Sequence, residues 1–355
     1  GSGNVWISAA GVSIIFHIGV NFSPLFCSAA LCIGTAFGTI LAPSTTAVTW
    51  WLYFFVAVVP QIVLMHVGYY GWRGWLLVSL YWLWTAAMGR WDPNLKIAER
   101  LGIRRSQFWK HLAAYFPAQL VYDDSLKDTP PWKDGLHLFV VHPHGLWGAH
   151  VWSNLIPEHE GSLLPRRRVC TLDMNFKIPI LRDLLFSMGL IGSSSKSIRK
   201  TLAAGVNVVL VVGGGREALA SLPGTMDLVL GNRKGFVKLA IESGASLVPV
   251  LGFGETSCYH PGGGASIWGP VNRFLLKTLG MSLPVLQGWR GTFLPYPIPL
   301  VTVVGEALPV KQDPNPTQTL IDQVHADYCS ALRALYDKYK GRYAKDCLCE
   351  MRFIA

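Results

Sequence analysis

Along the last two-thirds of the chain, short wholly apolar runs alternate with stretches whose apolar residues recur every three or four positions. Residues 136–141, 169–172, 206–212, 246–252 and 300–304 are runs of the first kind. Val208-Val209-Leu210-Val211-Val212 is apolar on both faces, the pattern of a parallel strand covered by helices above and below. Residues 145–155, 177–188, 195–204 and 233–243 carry the helical period, and Gly244 follows the last of them where a left-handed C-terminal residue is expected. Leu320, Val324, Tyr328, Ala331, Leu335 and Tyr339 predict a long C-terminal helix. A further helix is expected over residues 95–112, opened by Asp92-Pro93 and stopped by Tyr115-Phe116-Pro117, with a polar turn region over 123–135. Strand and helix in alternation predict an α/β fold with a mostly parallel sheet flanked by helices.

The first quarter reads differently. Residues 5–42 are apolar apart from His17, Asn21 and Pro24, and residues 50–69 contain no charge. The second stretch is long enough to cross a hydrocarbon layer of roughly 30 Å. Residues 75–88 are shorter and rich in tryptophan and tyrosine, the side chains that gather at the membrane interface. The sequence therefore predicts a membrane-anchoring region over residues 1–89, with N-terminal transmembrane helices, followed by an α/β domain over 90–355. A cleaved signal peptide is disfavoured by the absence of a basic leading segment and by the length of the apolar region. Arg90, Lys96, Arg100, Arg104, Arg105 and Lys110 follow the last apolar stretch, which places that side, and the domain, in the cytosol.

Composition sharpens this division. Of 52 charged residues only Arg73 falls before position 90. The formal net charge of +10 thus comes almost wholly from the α/β domain, and suits acidic headgroups or a phosphate-bearing substrate. Nucleic acid is disfavoured, since no finger spacing, aromatic RNA-reading motif or long basic helix is present. Cysteines 27, 32, 170, 258, 329, 347 and 349 are odd in number and scattered, without the layout of a disulfide framework.

The candidate chemistry sits at the end of the 136–141 strand, in His142-Pro143-His144-Gly145. Proline and glycine force a turn, displaying two imidazoles, the side chains best suited to exchanging protons near neutral pH. Other readings fall away. Gly213-Gly214-Gly215-Arg216-Glu217-Ala218 can be written as a dinucleotide fingerprint, but Asn232 and Arg233 stand where the acidic residue belongs. There is no phosphate-binding GK[ST] loop and no GxSxG elbow. His142, His144 and His150 lack a cysteine or carboxylate nearby in sequence to complete a zinc set, and no metal is expected. The H-x4-D motif of lysophospholipid acyltransferases is absent, because Trp147, Ala149 and Leu155 occupy the fifth positions after the three histidines. The strand–histidine–helix layout is nevertheless similar.

These residues, with others in order, resemble the type-2 diacylglycerol acyltransferase family, which includes monoacylglycerol and wax-alcohol acyltransferases. Tyr115-Phe116-Pro117 matches its YFP element, residues 142–145 its HPHG, Phe176, Pro179 and Arg182 its FxxPxxR, and Gly213, Gly214 and Glu217 its GGxxE. The block from Arg233-Lys234-Gly235-Phe236 through Gly244, Val248-Pro249 and Phe253-Gly254-Glu255 matches as well, as does Val303-Val304-Gly305-Glu306. Departures are Ala307 in place of a proline, Thr256-Ser257 after Glu255, and a loosely matching stretch over 259–295.

The resemblance implies a glycerolipid-acyltransferase-like core and transfer of a fatty acyl group from acyl-CoA to the hydroxyl of diacylglycerol. Monoacylglycerol or a long-chain alcohol is the alternative acceptor, and a non-catalytic lipid-binding protein the alternative class. It also implies a place in the endoplasmic reticulum membrane or at a lipid-droplet surface, acyl-CoA as co-substrate without a resident cofactor, and leaves a homo-oligomer open. On this reading His144 or His142 is the general base, His144 preferred, the other orienting it or holding the loop, and Glu217 positions the imidazole. The N–H near Gly145 or the turn Gly213-Gly214-Gly215 would meet the oxyanion. Arg182, Arg233 and Lys234 are candidates for the CoA phosphates. Pro143, Phe176 and Pro179, with Tyr115, Phe116 and Pro117, complete the expected substrate-facing set, Phe176 and Pro179 leaning towards structural roles.

Overall fold

The computed structural model describes residues 102–126, 135–158, 162–177, 181–261, 286–289, 294–344 and 350–354, with a few positions between 71 and 83. Backbone proximity divides the chain into Gly1–Asp92 and Pro93–Ala355, and the elements named below belong to the second unit. The spans expected in residues 5–89, the start of the helix expected at residue 95, and Pro179 lie outside the described residues. Among the described residues no helix is long and apolar enough to cross a membrane.

In chain order the elements are α1 (Gln107–Tyr115), β1 (Gln119–Tyr122), β2 (His137–His142), a π-helical turn (Val151–Leu155), β3 (Arg167–Thr171), α2 (Leu181–Ser187), β4 (Leu190–Gly192), α3 (Ser195–Ala203), β5 (Asn207–Val211), α4 (Gly214–Ala220), β6 (Asp227–Val229), α5 (Gly235–Ser243), β7 (Ser246–Phe253), two-residue β8 (His260–Pro261) and β9 (Leu286–Gln287), β10 (Val301–Val304), α6 (Gln318–Tyr343) and β11 (Arg352–Ile354). Seven strands form the main sheet in the order β1-β10-β7-β2-β5-β3-β4. Every pairing in it is parallel except β10 with β7. The fold is a mixed α/β architecture with a mostly parallel sheet flanked by helices, as the alternating runs imply.

Burial follows from position in that order. All six residues of β2 are buried, as a central strand covered on both faces requires. Its alternate residues Leu138 and Val140 pack with Leu247, Leu251 and Val303 beneath Val237 and Ile241 of α5 and Leu332, Leu335 and Tyr336 of α6. The opposite face carries the π-helical turn, where Asn154 Nδ2 donates to Thr302 Oγ1 at 2.9 Å and to the Gln119 carbonyl at 3.2 Å.

Several elements differ from the sequence expectation. Residues 143–148 form an irregular loop, so the helix expected over 145–155 is confined to its second half. Gly145 and Gly148 take φ values of 56° and 71°, which a right-handed helix does not contain. Of the helix expected over 95–112, the described residues show a 3-10 turn at Ile103–Arg105 and α1 from Gln107 to Tyr115. Of the one expected over 177–188, they show a 3-10 turn at Asp173–Lys177 and α2, with residues 178–180 outside the described set. Six strands, β1, β4, β6, β8, β9 and β11, and the helix α4 were not anticipated; each is seven residues or shorter, too little for a periodic signal.

Helix α6 begins at Thr317, whose side chain accepts from the Leu320 N–H at 3.2 Å, a conventional N-cap. At its middle, buried Tyr328 donates to the Val140 carbonyl at 3.3 Å and bonds His142 Nε2 at 3.0 Å. With the hydroxyl proton committed to the carbonyl, the imidazole N–H is the donor of the second bond. Tyr328→Phe removes one group and strands another, and is expected to cost about 1–3 kcal/mol. Urea denaturation of the detergent-solubilised variant beside wild type measures it.

Candidate active site

Strand β2 ends at His142, and the chain leaves it through a cis His142–Pro143 bond. Six residues further on it enters helical geometry at Ala149. Such a loop leaves backbone N–H groups without ladder or helix partners, and buried donors of this kind must be satisfied elsewhere. Two carboxylates from distant parts of the chain do so. Glu217, fourth residue of α4, accepts from the His144 N–H through Oε1 and from the Val229 N–H through Oε2, the latter at 2.8 Å. Glu255, just past β7, accepts from the N–H of Gly148 and of His150, each at 2.9 Å, and from His150 Nδ1 at 2.8 Å. The Ala149 N–H contributes to the same carboxylate.

The glycines around the loop follow from these side chains. A Cβ on Gly145 would lie 2.3 Å from Glu255 Cγ, and one on Gly213 would lie 2.3 Å from Glu217 Oε2. Both also hold positive φ, 56° and 113°, so glycine is required there twice over.

The two histidines at the turn have different surroundings. His142 is wholly buried against α6, and burial pushes its imidazole down to about 3, with His150 adding to the shift. It stays neutral, and among the described residues its Nδ1 has no hydrogen-bond partner. His144 lines a cavity of about 370 Å³. Its Nδ1 lies 2.9 Å from the Gly145 carbonyl. A carbonyl only accepts, so Nδ1 carries the proton and Nε2 keeps its lone pair. Burial lowers its proton affinity, while the Gly145 carbonyl and Glu255 pull the other way and His150 assists burial. The net shift is downward, leaving the imidazole neutral at pH 7.

The cavity opens at the carboxyl ends of β2, β5 and β3. Leu146, Trp147, Val151, Trp152 and Ile156 form one wall, Val169, Cys170, Leu172 and Leu190 another, and Leu210, Val211, Gly214, Gly215 and Ala218 line it as well. Its volume falls within the roughly 300–1,000 Å³ of small-molecule sites. Trp152 stacks between Trp147 and Trp109, with centroids 6.0 and 6.3 Å away. Phe116 sits 6.4 Å beyond Trp147.

The structure thus brings His144 and Gly214 together at one cavity, with Glu217 and Gly145 immediately behind. Glu217, expected to position the imidazole or stabilise its cation, has its two oxygens engaged by backbone N–H groups, so it reaches His144 through the main chain and not through the ring. Tyr115 and Phe116 are core residues. The Tyr115 hydroxyl, pushed up to about 12 by burial, donates to the Pro295 carbonyl at 2.6 Å, and the Phe116 carbonyl accepts from Leu300 at 3.0 Å; Pro117 completes the bend into β1. Phe176 packs on Phe186 with centroids 4.7 Å apart, and Arg182 lies over the same ring at 5.5 Å. Lys234 pairs with Asp322 at 2.8 Å, and Arg233 is exposed. None of these last four is among the residues lining the cavity. Among the described residues there is no cluster of three metal-ligating side chains.

Sequence reasoning missed three parts of this arrangement. Glu255 entered only as the last letter of a matching block, and His150 only as a poor zinc ligand. The tryptophan ladder was not foreseen at all. A carboxylate one glycine beyond eight strand residues, seven of them buried, was the available sign of the first, because such a group needs a partner in the interior.

A family model described as diacylglycerol acyltransferase matches residues 69–352. Diacylglycerol O-acyltransferase 2A of Umbelopsis ramanniana is 32% identical over 336 residues, 88% of this chain and 87% of its own. Diacylglycerol O-acyltransferase 2 of Homo sapiens is 35% identical over 293 residues, 76% of this chain and 72% of its own. Among solved structures, the crystal structure of the 1-acyl-sn-glycerophosphate (LPA) acyltransferase PlsC from Thermotoga maritima aligns with a TM-score of 0.38 at 13% identity, covering 75% of this chain and 97% of that one.

Burial raises the Glu217 carboxyl from 4.5 to about 7, against its two N–H partners and Arg233, which lower it. A raised carboxyl favours the protonated native state, so its contribution to stability is complete below pH 4.5 and is lost as pH rises through 7. The unfolding free energy of wild type minus that of Glu217→Gln, followed against pH, is expected to fall across that window.

Proposed function

The chain belongs to the diacylglycerol acyltransferase family, and on that premise we propose that it transfers a fatty acyl group from acyl-CoA to the free hydroxyl of diacylglycerol, forming triacylglycerol. The observation that carries the mechanism is His144, neutral, with Nε2 available at an apolar cavity. The acceptor hydroxyl attacks the thioester carbonyl while Nε2 takes its proton. The resulting oxyanion meets backbone N–H groups of the Gly214–Gly215 turn, which borders the same cavity. The tetrahedral intermediate then expels the CoA thiolate, and the imidazolium returns the proton to that sulfur. No resident cofactor is needed, since the thioester already supplies the activated acyl group. His142 is a buried anchor in this scheme and not the base.

The acyl chain suits the wall made by Trp147, Trp152, Ile156, Val169 and Leu190. The CoA phosphates would remain outside it, with Arg182, Arg233 and Lys234 as the candidate partners. The membrane anchor is part of the proposal. Leu76, Leu80 and Leu83 fall on helical residues, are 49%, 51% and 66% exposed, and recur at the spacing of one helix face. Together with the uncharged stretches before them they support attachment to the endoplasmic reticulum membrane, or a lipid-droplet surface, with the α/β domain on the cytosolic side.

Purified protein supplied with labelled acyl-CoA and, separately, diacylglycerol, monoacylglycerol and a long-chain alcohol tests the reaction. Triacylglycerol is the expected dominant product; no ester from any acceptor would overturn the assignment. His144→Ala should lower kcat by about 10²–10⁴-fold while membrane insertion is retained. Cys170 lines the same cavity, but burial pushes its thiol up, away from the thiolate a nucleophile needs. Cys170→Ala should therefore keep turnover within about threefold of wild type, and loss of activity would point to an acyl-enzyme instead.

A further inference from the structure

The His150–Glu255 pair is fully buried, with 0% of either side chain exposed. A carboxylate in such a place is costly unless its lone pairs are filled and a partner is present. Here they are filled from one source, the loop that ends β2. Gly148, Ala149 and His150 each give a backbone N–H to Glu255, and His150 adds Nδ1. Gly145 rests against the same side chain, closer than any Cβ would allow. Gly252 plays the matching part beneath His150, where a Cβ would lie 2.6 Å from the ring. The strand end at Gly252 to Glu255 is thus shaped to receive this loop and its imidazole.

We propose that Glu255, locked by His150, is the positioning residue of the acyl-transfer site: it sets the loop that carries His144 and supplies the negative charge that sustains the basicity of that imidazole. This rests on the assignment of His144 as base. Glu217 holds one end of the loop, at the His144 N–H, and Glu255 the other, at Gly148 to His150. The two carboxylates divide the work. Glu217 fixes a backbone atom, and Glu255 both fixes the far side and acts electrostatically on the ring. Burial pushes the Glu255 carboxyl up, but His150 and the backbone donors outweigh it and hold it below the ordinary range, so the charge is present at any working pH.

The groups that bear on His144 are Glu255 and His150 behind the loop, Glu217 from α4, and the Cys170 thiol across the cavity. Of these, Glu217 is brought by burial into the same pH range as an imidazole. The experiment therefore follows kcat/KM against pH for Glu255→Gln and Glu255→Asp, each also in a Glu217→Gln background, with near-UV circular dichroism as the check on folding. Glu255→Gln keeps the shape and removes the charge. Its acid limb should move to lower pH, because an imidazole without a neighbouring carboxylate binds its proton less tightly. Its kcat should fall by about 10–100-fold, the scale of a small misplacement at a reacting group, with KM for acyl-CoA within twofold. Glu255→Asp keeps the charge and withdraws it from the loop: kcat should fall while the acid limb stays near that of wild type.

A folded Glu255→Gln enzyme with unchanged kcat and an unmoved acid limb would overturn the proposal. A loss of stability alone, without the split between the two variants, would also overturn it by making Glu255 merely structural. Should Glu255→Gln fail to fold, His150→Asn is read instead, expected to lower kcat at constant KM; full kcat there overturns the proposal equally. Wild type and His144→Ala run alongside separate the two levels. If His144→Ala retains turnover, the base assignment fails; if it does not and the Glu255 variants behave as wild type, only the positioning role fails.

Discussion

The arrangement of this domain depends on the capture of one irregular loop by two buried carboxylates. A central strand followed by a proline and two glycines with positive φ cannot satisfy its own backbone. Gly145, Gly148, Ala149 and His150 are buried, and leaving even one N–H unpaired in an interior costs about 1–3 kcal/mol. Glu217 and Glu255 remove that cost at His144, Gly148, Ala149 and His150. Both carboxylates come from segments adjacent to β2 in the sheet, the one following β5 and the one following β7. Strand order, more than local preference, brings acid and loop together.

The same constraint separates the two histidines of the turn. Side chains alternate across a strand, and His142, the last residue of β2, is directed to the α6 face, where Tyr328 receives its N–H. Past Pro143 and Gly145 the chain has changed direction, and His144 falls on the cavity. A residue two places along would ordinarily share the face of the first. The turn at Pro143 breaks that rule, so one imidazole is committed to the core and the other left at the reacting position. The burial of His142 also keeps it neutral, which avoids placing a second positive charge beside the base.

Much of the sheet was legible in the amino-acid sequence. Strands β2, β5, β7 and β10 and helices α3, α5 and α6 lie within a few residues of where the apolar runs and helical periods put them, because their signals are local and long enough to repeat. The turn at Pro143 and Gly145 was legible, but its extension to residue 148 was not. Leu146, Trp147, Val151, Trp152 and Leu155 have helical spacing, whereas Gly148 holds a φ of 71° and gives its N–H to Glu255, 107 residues away. For the same reason Glu217 was assigned to a ring instead of a backbone N–H: motif spacing shows that the glutamate belongs to the site, but not which atom it reaches. The short strands β4, β6 and β11, three residues each, exist only by pairing with distant partners.

Electrostatics also explains why the site holds so little mobile charge. Among the described lining residues His144 is the sole titratable group besides the Cys170 thiol, and an acyl chain would be poorly accommodated beside an ionised one. Yet a general base in an apolar cavity loses proton affinity through burial. The Gly145 carbonyl and Glu255 offset this from behind the loop, without presenting a carboxylate to the lipid. A charge placed one layer back, held by peptide N–H groups and an imidazole that the substrate never touches, reconciles a greasy cavity with a group able to accept a proton in it. That separation requires glycine at 145 and 252, since any side chain there would push the hidden pair and the loop apart.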